Sequence, residues 1–171
     1  MRGIVNFILT VLFFALQCTL FRTLEIGGIT PNLLMILTVS TAFMQGERAG
    51  ALTGFLGGIL SDIFFGSYIG FLALLYTVCG YLAGKVHRAF FPQNIILPMT
   101  LIVTGDFVYG FMCYVLMFLF RTRFDISFYM RNVVIPEVVY TTIAAIFFYP
   151  VLLKIHTSLE AYERRNSRKF I

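Results

Sequence analysis

Residues 47–84 constrain the fold of this chain most, because they form two strongly apolar segments separated by a very short turn. Glycines recur at four-residue spacing in the first segment, and Asp62 is an isolated acid among its apolar residues. This spacing places residues on one slowly drifting face of a helix. Glycines on such a face let two helix backbones reach van der Waals contact. The region therefore predicts two membrane helices that pack closely against other helices.

The composition supports an integral membrane protein and excludes a soluble domain. Hydrophobic residues make up 59% of the 171 residues, charged residues 12%, and the mean hydropathy is +0.88. Soluble domains carry about 25% charged residues. We predict an all-α membrane protein of one domain, residues 1–171, with a basic cytoplasmic tail at 156–171. The six predicted transmembrane helices cover residues 4–21, 30–45, 49–65, 68–84, 95–120 and 133–155.

Capping residues and prolines indicate where several of these predicted helices begin or bend. Thr30 is predicted as the N-cap of the second span, with Pro31 at its first helical position. Pro98 and Pro136 lie early in the fifth and sixth spans, where a missing N–H costs little, and Pro150 predicts a kink. Several spans are shorter than the roughly 20 residues that a bilayer requires. We expect such helices to thin the bilayer or to be partly enclosed by neighbouring proteins.

The distribution of Lys and Arg predicts the orientation. Residues 1–21 resemble a signal peptide but lack a small-x-small cleavage site, so an uncleaved first helix is predicted. With a cytoplasmic N-terminus, nine basic residues lie inside: Arg2, Arg48, Lys85, Arg88, Lys154, Arg164, Arg165, Arg168 and Lys169. Four lie outside: Arg22, Arg121, Arg123 and Arg131. The positive-inside rule then places both termini in the cytoplasm. The net charge of +5 thus indicates topology and lipid headgroups, and not nucleic acid.

The glycine spacing supplies the first candidate site. The positions with four-residue spacing are Gly50, Gly54, Gly58, Asp62 and Gly66, and Gly80 and Gly84 repeat the spacing in the fourth span. One interpretation is packing within the chain. The alternative is that part of this face, Gly54 and Gly58 above all, receives a helix of a partner protein.

Three acids supply further candidates. Asp62, near the outer end of the third span, is predicted to cap the next helix or to reach headgroups, with partial burial. Asp106 lies about 17 Å into the fifth span, close to the bilayer midplane, where an ionisable group predicts a function. We expect it to accept hydrogen bonds from a tyrosine or threonine, or to be protonated. The helix dipole favours Glu137 near the start of the sixth span.

Catalytic and cofactor signatures do not emerge from the sequence. It contains no Ser/His/Asp set, nucleotide-binding loop or His-rich metal spacing, so we predict neither an enzyme nor a cofactor. The sequence does not support a path for protons or cations through these acids, because no basic residue lies at comparable depth in the predicted helices. The outer loop is a docking candidate through Arg121, Arg123, Phe124 and Phe128, although an interfacial aromatic belt explains its aromatics equally well.

Several fixed spacings in the second to fourth spans resemble those of the MreD family, the rod-shape-determining membrane proteins of bacteria. They are Pro31-Asn32, the turn Glu47-Arg48-Ala49-Gly50, then Gly54, Gly58, Asp62, Gly66 and Gly70, Ala73-Leu74-Leu75-Tyr76, and Gly80-Tyr81-Leu82-Ala83-Gly84. The chain length and the basic tail are also similar to that family. The first, fifth and sixth spans match only in general character.

The resemblance implies a non-catalytic scaffold of the cell-elongation machinery in the cytoplasmic membrane. Its expected partners are an MreC-like protein and a RodA-type glycosyltransferase with its class B penicillin-binding protein, with MreB filaments connected from the cytoplasmic side. The family's fold is similar to the six-helix S components of ECF vitamin transporters. That similarity supplies the alternative function, a substrate-binding subunit of a small-molecule transporter.

Overall fold

The computed structural model describes residues 2–23, 28–66, 69–87, 95–121 and 126–167, and helices account for almost all of these residues. The all-α prediction is therefore confirmed. The helices in chain order are α1 (Arg2–Thr23), α2 (Leu33–Gln45), α3 (Glu47–Phe65), α4 (Phe71–His87), α5 (Ile96–Arg121), α6 (Ile126–Tyr129) and α7 (Ile135–Ser167), with a π-helical turn at Met130–Val134.

Helix α2 is the centre of the bundle. It contacts α1, α3, α4, α5 and α7, and all of its residues from Leu33 to Phe43 are buried. Its 13 residues give a length of about 20 Å, which is shorter than the roughly 30 Å hydrocarbon core of a bilayer. The enclosure expected for a short helix is therefore provided by the other helices of the same chain.

The start of α2 differs from the prediction. The N-cap is Asn32 and not Thr30, because the Oδ1 atom of Asn32 accepts a hydrogen bond from the Met35 N–H at 3.1 Å. Pro31 is buried and precedes this cap, so it does not occupy the first helical position. Asparagine caps at least as well as threonine, and its side chain here is held at the required position. The irregular backbone before this cap is enclosed by protein, which is the setting in which such backbone is tolerated.

Helices α3 and α4 form an antiparallel hairpin. Gly66 ends α3, and its N–H donates to the Asp62 carbonyl at 3.0 Å. Gly70 precedes α4 with a φ of +100°, a conformation that favours glycine. A Cβ at Gly66 would overlap the backbone of Asp62. Gly66 and Gly70, which both belong to the motifs that resemble the family, therefore form the turn between α3 and α4.

Helix α5 has Pro98 in its first turn, as predicted. Helices α6 and α7 form one continuous helical segment through the π turn, in which the Ile135 N–H bonds the Met130 carbonyl. Pro136 follows immediately, and it has no N–H to continue the regular ladder. Pro150 lies inside α7, which extends to Ser167 and so carries the first part of the predicted tail as helix.

The surface of the bundle is suited to lipid. Large apolar side chains are exposed on several helices, with Ile4 at 68%, Phe64 at 65% and Phe147 at 70%. Water-soluble monomers rarely expose extended apolar surface. Within the described ranges, three segments are long and apolar enough to cross a membrane: Arg2–Thr19, Ile96–Leu116 and Ile126–Glu163. Helices occupy all six predicted positions, and α2 and α4 are shorter apolar helices.

Candidate functional site

The glycine face of α3, comprising Gly50, Gly54 and Gly58, is pressed against the backbone of α4. A Cβ built on Gly54 would overlap the Tyr76 carbonyl group, and one built on Gly58 would overlap the backbone of Ala73. A Cβ on Gly50 would overlap Ala42 of α2 first, and it would also overlap the carbonyl oxygen of Gly80 in α4. Each close approach depends on the absent side chain, because the nearest atoms at these positions are backbone atoms or the Cβ of Ala42, which cannot rotate aside.

Helix α4 therefore occupies this face, which corrects the hypothesis that Gly54 and Gly58 receive a partner helix. Gly84 completes the contact from the other side, since a Cβ there would overlap the backbone of Glu47. The spacing signal predicted a close helix contact, but it did not identify α4 as the helix in contact. The remaining residues of the motif lie at the margin: Arg48 is exposed, and Tyr81 is 41% exposed with the Lys85 ammonium 4.6 Å from its ring centre.

Asp62 caps the N-terminus of α4 from the adjacent helix. Its Oδ2 atom accepts hydrogen bonds from the N–H groups of Gly70 at 2.9 Å and Ala73 at 3.0 Å, and Oδ1 accepts one from Leu72 at 3.0 Å. These N–H groups belong to the first turn of α4, which lacks partners of its own. Capping was one of the two predicted roles. The expectation of partial burial was wrong, since Asp62 is 1% exposed because the hairpin encloses it.

Asn32 connects α2 to two distant helices. The Tyr76 hydroxyl of α4 donates to Asn32 Oδ1 at 2.7 Å, and the Asn32 N–H donates to Thr141 Oγ1 of α7 at 3.0 Å. Two residues further along, the Leu34 N–H donates to Gln17 Oε1 of α1 at 3.2 Å. The N–H groups at the start of α2 are thus satisfied partly by its own cap Asn32 and partly by side chains of α1 and α7, which fixes where this helix begins inside the bundle.

Asp106 of α5 lies beside this connection and is 1% exposed. Its polar neighbours are Thr141 and Asn32. Among the described residues, neither carboxyl oxygen of Asp106 makes a hydrogen bond, and neither does the Nδ2 amide of Asn32. We call Asn32, Tyr76, Asp106 and Thr141 the polar junction. An isolated buried carboxylate costs several kcal/mol or more, so the junction is chemically the least satisfied part of the described bundle.

The second predicted intramembrane acid, Glu137, is brought close to Asp106. It lies one turn before Thr141 on α7 and is within electrostatic range of Asp106. Tyr109 and Cys113 of α5 also lie in range of Glu137. The Tyr109 ring is 5.2 Å from that of Tyr76, centroid to centroid. Polar groups of three helices therefore extend from the polar junction along α5 and α7.

A second polar connection, which we call the Gln45 network, was missed by the sequence analysis. The amides of Gln45 and Asn6 are joined by two hydrogen bonds, of 2.9 and 3.2 Å, and Gln45 Nε2 lies 2.6 Å from His156 Nδ1. Arg2 Nε donates to Glu163 Oε2 at 2.6 Å nearby. The only signal was the presence of single polar residues in apolar helices, where interhelical hydrogen bonds are common.

The predicted outer-loop contacts are described only in part. Phe128 of α6 is 65% exposed, and Arg131 of the π turn is exposed. Arg121 ends α5, while Arg123 and Phe124 lie outside the described residues. The loop thus presents at least one aromatic and one basic side chain on the surface.

The chemistry of the described residues favours helix association. The backbone N–H groups at the start of α4 are bound by Asp62, and those at the start of α2 by Asn32 and Gln17. In the parts of the chain that the structure describes, no three His, Cys, Asp or Glu residues form a potential metal site. The arrangement can lock helices together and can hold a proton or a small polar group at the polar junction.

Comparison with known proteins identifies the family. The family model described as MreD, rod shape-determining protein MreD, matches residues 1–158. The match covers far more than half of the chain, from the first helix to Ser158 in α7. Neither a curated protein nor a solved structure matches the chain. The chain belongs to the MreD family and is a rod-shape-determining membrane protein, as the motifs of residues 31–84 predicted.

Proposed function

We propose that this MreD-family protein is a non-catalytic scaffold that binds an MreC-like protein and helps to organise peptidoglycan synthesis during cell elongation. The observation that carries the proposal is the family match over residues 1–158. That range includes α1 to α5 and most of α7, so it covers the helices that form the core. We also infer the six-helix arrangement of ECF S components from the family resemblance.

The internal construction of the bundle supports a scaffold. The α3–α4 hairpin is joined by direct backbone contacts, and α2 is fixed to α4 and α7 through Asn32. A bundle with such contacts presents partners with a surface of fixed shape. Preorganised surfaces bind with a smaller loss of conformational entropy than flexible ones.

The proposed setting is the cytoplasmic membrane with both termini inside. In this orientation, the α6 and π-turn region is external, and the C-terminal part of α7 faces the cytoplasm. An MreC-like partner then binds within the membrane and at the outer surface, and a RodA-type glycosyltransferase with its class B penicillin-binding protein joins the same assembly. MreB filaments connect indirectly from the cytoplasmic side, and membrane lipids cover the remaining apolar surface.

The outer loop is the proposed contact for the external base of the partner. Its support is the exposure of Phe128 and Arg131 together with the basic residues Arg121 and Arg123 in the same loop. Exposed aromatic and arginine side chains are the residue types that are enriched at protein interfaces. The glycine face is not available for this purpose, because α4 covers it.

Co-purification tests the proposal. The tagged full-length chain is extracted from its own cells in mild detergent, and the recovered proteins are identified by mass spectrometry. We expect an MreC-like protein, with or without a RodA-type synthase. Recovery of ATPase subunits with a coupling membrane protein would reject the scaffold and establish the transporter alternative.

A charge-reversed variant tests the outer loop separately. Arg121→Glu with Arg123→Glu should reduce recovery of the MreC-like protein, while Arg164→Glu with Arg165→Glu is the matched control on the opposite side. Equal recovery with both double variants would reject the loop as a contact and leave the scaffold proposal intact.

A further inference from the structure

The polar junction contains three buried polar atoms whose hydrogen bonds are missing. They are the two carboxyl oxygens of Asp106, which can accept, and the Nδ2 amide of Asn32, which can only donate. Asp106 is 1% exposed and Asn32 is 2% exposed, so bulk water does not supply the missing partners. Buried polar groups in native proteins are nearly always hydrogen-bonded, which makes this group an exception that requires an occupant.

No described cation compensates the charge that an ionised Asp106 would carry. Asn32 of α2 and Thr141 of α7 neighbour Asp106, and Tyr76 and Cys79 of α4, Cys113 of α5 and Glu137 of α7 lie within electrostatic range of it, with Tyr109 stacked on Tyr76. These groups include a second acid and no base. Among the Lys and Arg side chains that the structure describes, Arg48, Lys85, Arg131, Lys154 and Arg165 are exposed, and the half-buried Arg2 is paired with Glu163.

A proton satisfies all three atoms without any further group. A protonated carboxyl has one O–H donor and a carbonyl acceptor. The donor can reach Thr141 Oγ1, which already accepts one hydrogen bond from the Asn32 N–H and has a second lone pair. The carbonyl oxygen can accept from Asn32 Nδ2. A metal cation fits less well, because the free group of Asn32 is a donor with a positive end.

We propose that Asp106 is a proton-binding site inside the bundle, whose neutral carboxyl group donates to Thr141 and accepts from Asn32. The bound proton joins α5 to the start of α2 and to α7. Loss of the proton leaves a charge beside Glu137 and separates these three helices. This proposal is independent of which proteins the scaffold binds.

Infrared spectroscopy of the purified full-length protein at neutral pH tests it. A protonated carboxyl gives a C=O stretching band that is resolved from ionised carboxylates and shifts in heavy water. We expect this band in the wild type and its loss in Asp106→Asn. Glu137→Gln is the matched control and should retain the band. A wild type without the band, or an Asp106→Asn variant that keeps it unchanged, would overturn the proposal.

Isotope labelling keeps the test decisive if the variant does not fold. In wild-type protein grown with carbon-13-labelled aspartate, the band should move to lower frequency. A band that does not move belongs to glutamate and would reject Asp106 as the site.

The pH dependence of stability provides a second readout. The native state would hold a proton that the unfolded chain releases, so raising the pH must destabilise the wild type. Between the pKa of an unfolded aspartate and that of Asp106, the unfolding equilibrium constant should rise by up to about tenfold per pH unit, and the rise should stop once the native state also releases the proton. Asp106→Asn should lack this dependence, because its neutral amide replaces the neutral acid. Parallel curves, or stabilisation of the wild type by sodium over choline at high pH, would contradict the proposal.

Discussion

The α3–α4 hairpin and the polar junction each bury an aspartate, and the two aspartates are held in opposite ways. Asp62 is 1% exposed and its two oxygens accept three backbone N–H groups. Asp106 is equally buried, but its oxygens make no hydrogen bond to the described residues. The first pattern is that of an ionised carboxylate. The lack of described hydrogen-bond donors at the Asp106 oxygens is the pattern expected of a neutral acid. Burial alone therefore does not indicate the charge of an acid inside a membrane protein.

The two regions also differ in how their helices meet. In the hairpin, backbone touches backbone, and residues 8 to 11 positions apart complete the cap of α4. In the polar junction, side chains from four helices meet, and the Asn32–Thr141 bond joins residues 109 positions apart. The hairpin thus depends on the absence of side chains, whereas the junction depends on their polar chemistry. The three substitutions that follow exploit this difference.

The largest effect is expected from Gly54→Ala in the hairpin. The added methyl group would overlap the Tyr76 carbonyl, and backbone cannot move aside as a flexible side chain can. Overpacking of this kind costs up to about 3 kcal/mol, and more where backbone is displaced. We expect a large fall in the midpoint of thermal unfolding in mild detergent and a lower amount of protein in the membrane.

Gly3→Ala is the matched control, since a Cβ on Gly3 has no atom within 4 Å. It should unfold at the wild-type temperature or slightly above it, because alanine also favours the helix over glycine. If Gly54→Ala proves as stable as Gly3→Ala, α3 and α4 are not in backbone contact and the comparison fails.

An intermediate effect is expected from Asp62→Asn. The amide group can replace one acceptor oxygen, but its NH₂ end would face an N–H group of α4 that then lacks a partner. An unsatisfied buried donor costs about 1–3 kcal/mol. The midpoint of thermal unfolding should therefore fall clearly at neutral pH. Asp106→Asn, the same substitution in the polar junction, should change this midpoint little. Equal losses in the two variants would show that both aspartates are ionised.

The sequence predicted the hairpin far better than the junction, for a physical reason. Glycines at four-residue spacing report directly on a close helix contact, and Asp62 lies near enough along the chain to cap the next helix. The N-cap of α2 was misplaced because Thr30-Pro31 carries a start signal as strong as that of Asn32. What selects Asn32 is the position of Thr141 and Tyr76, which only the folded chain determines.

The Gln45 network shows the same limit. Asn6, Gln45 and His156 are unremarkable single polar residues in their own helices, and their contacts span 39 and 111 positions. A polar residue in an apolar helix indicates that some partner exists, but not which residue it is. For the same reason, the depth of Asp106 predicted a special role, while its neighbours could not be predicted.

The smallest effect is expected from Gly105→Ala. This is the same glycine-to-alanine change as Gly54→Ala, but it lies in α5 beside the polar junction. A Cβ there would lie 3.3 Å from Met35 Sδ, and methionine is flexible enough to shift by the few tenths of an ångström required. Alanine also favours the helix over glycine by about 1 kcal/mol. The two terms oppose each other, so the midpoint of thermal unfolding should stay near the wild-type value or rise slightly. A loss as large as that of Gly54→Ala would mean that α2 and α5 are packed as rigidly as the hairpin, and the contrast between backbone contact and side-chain contact would no longer hold.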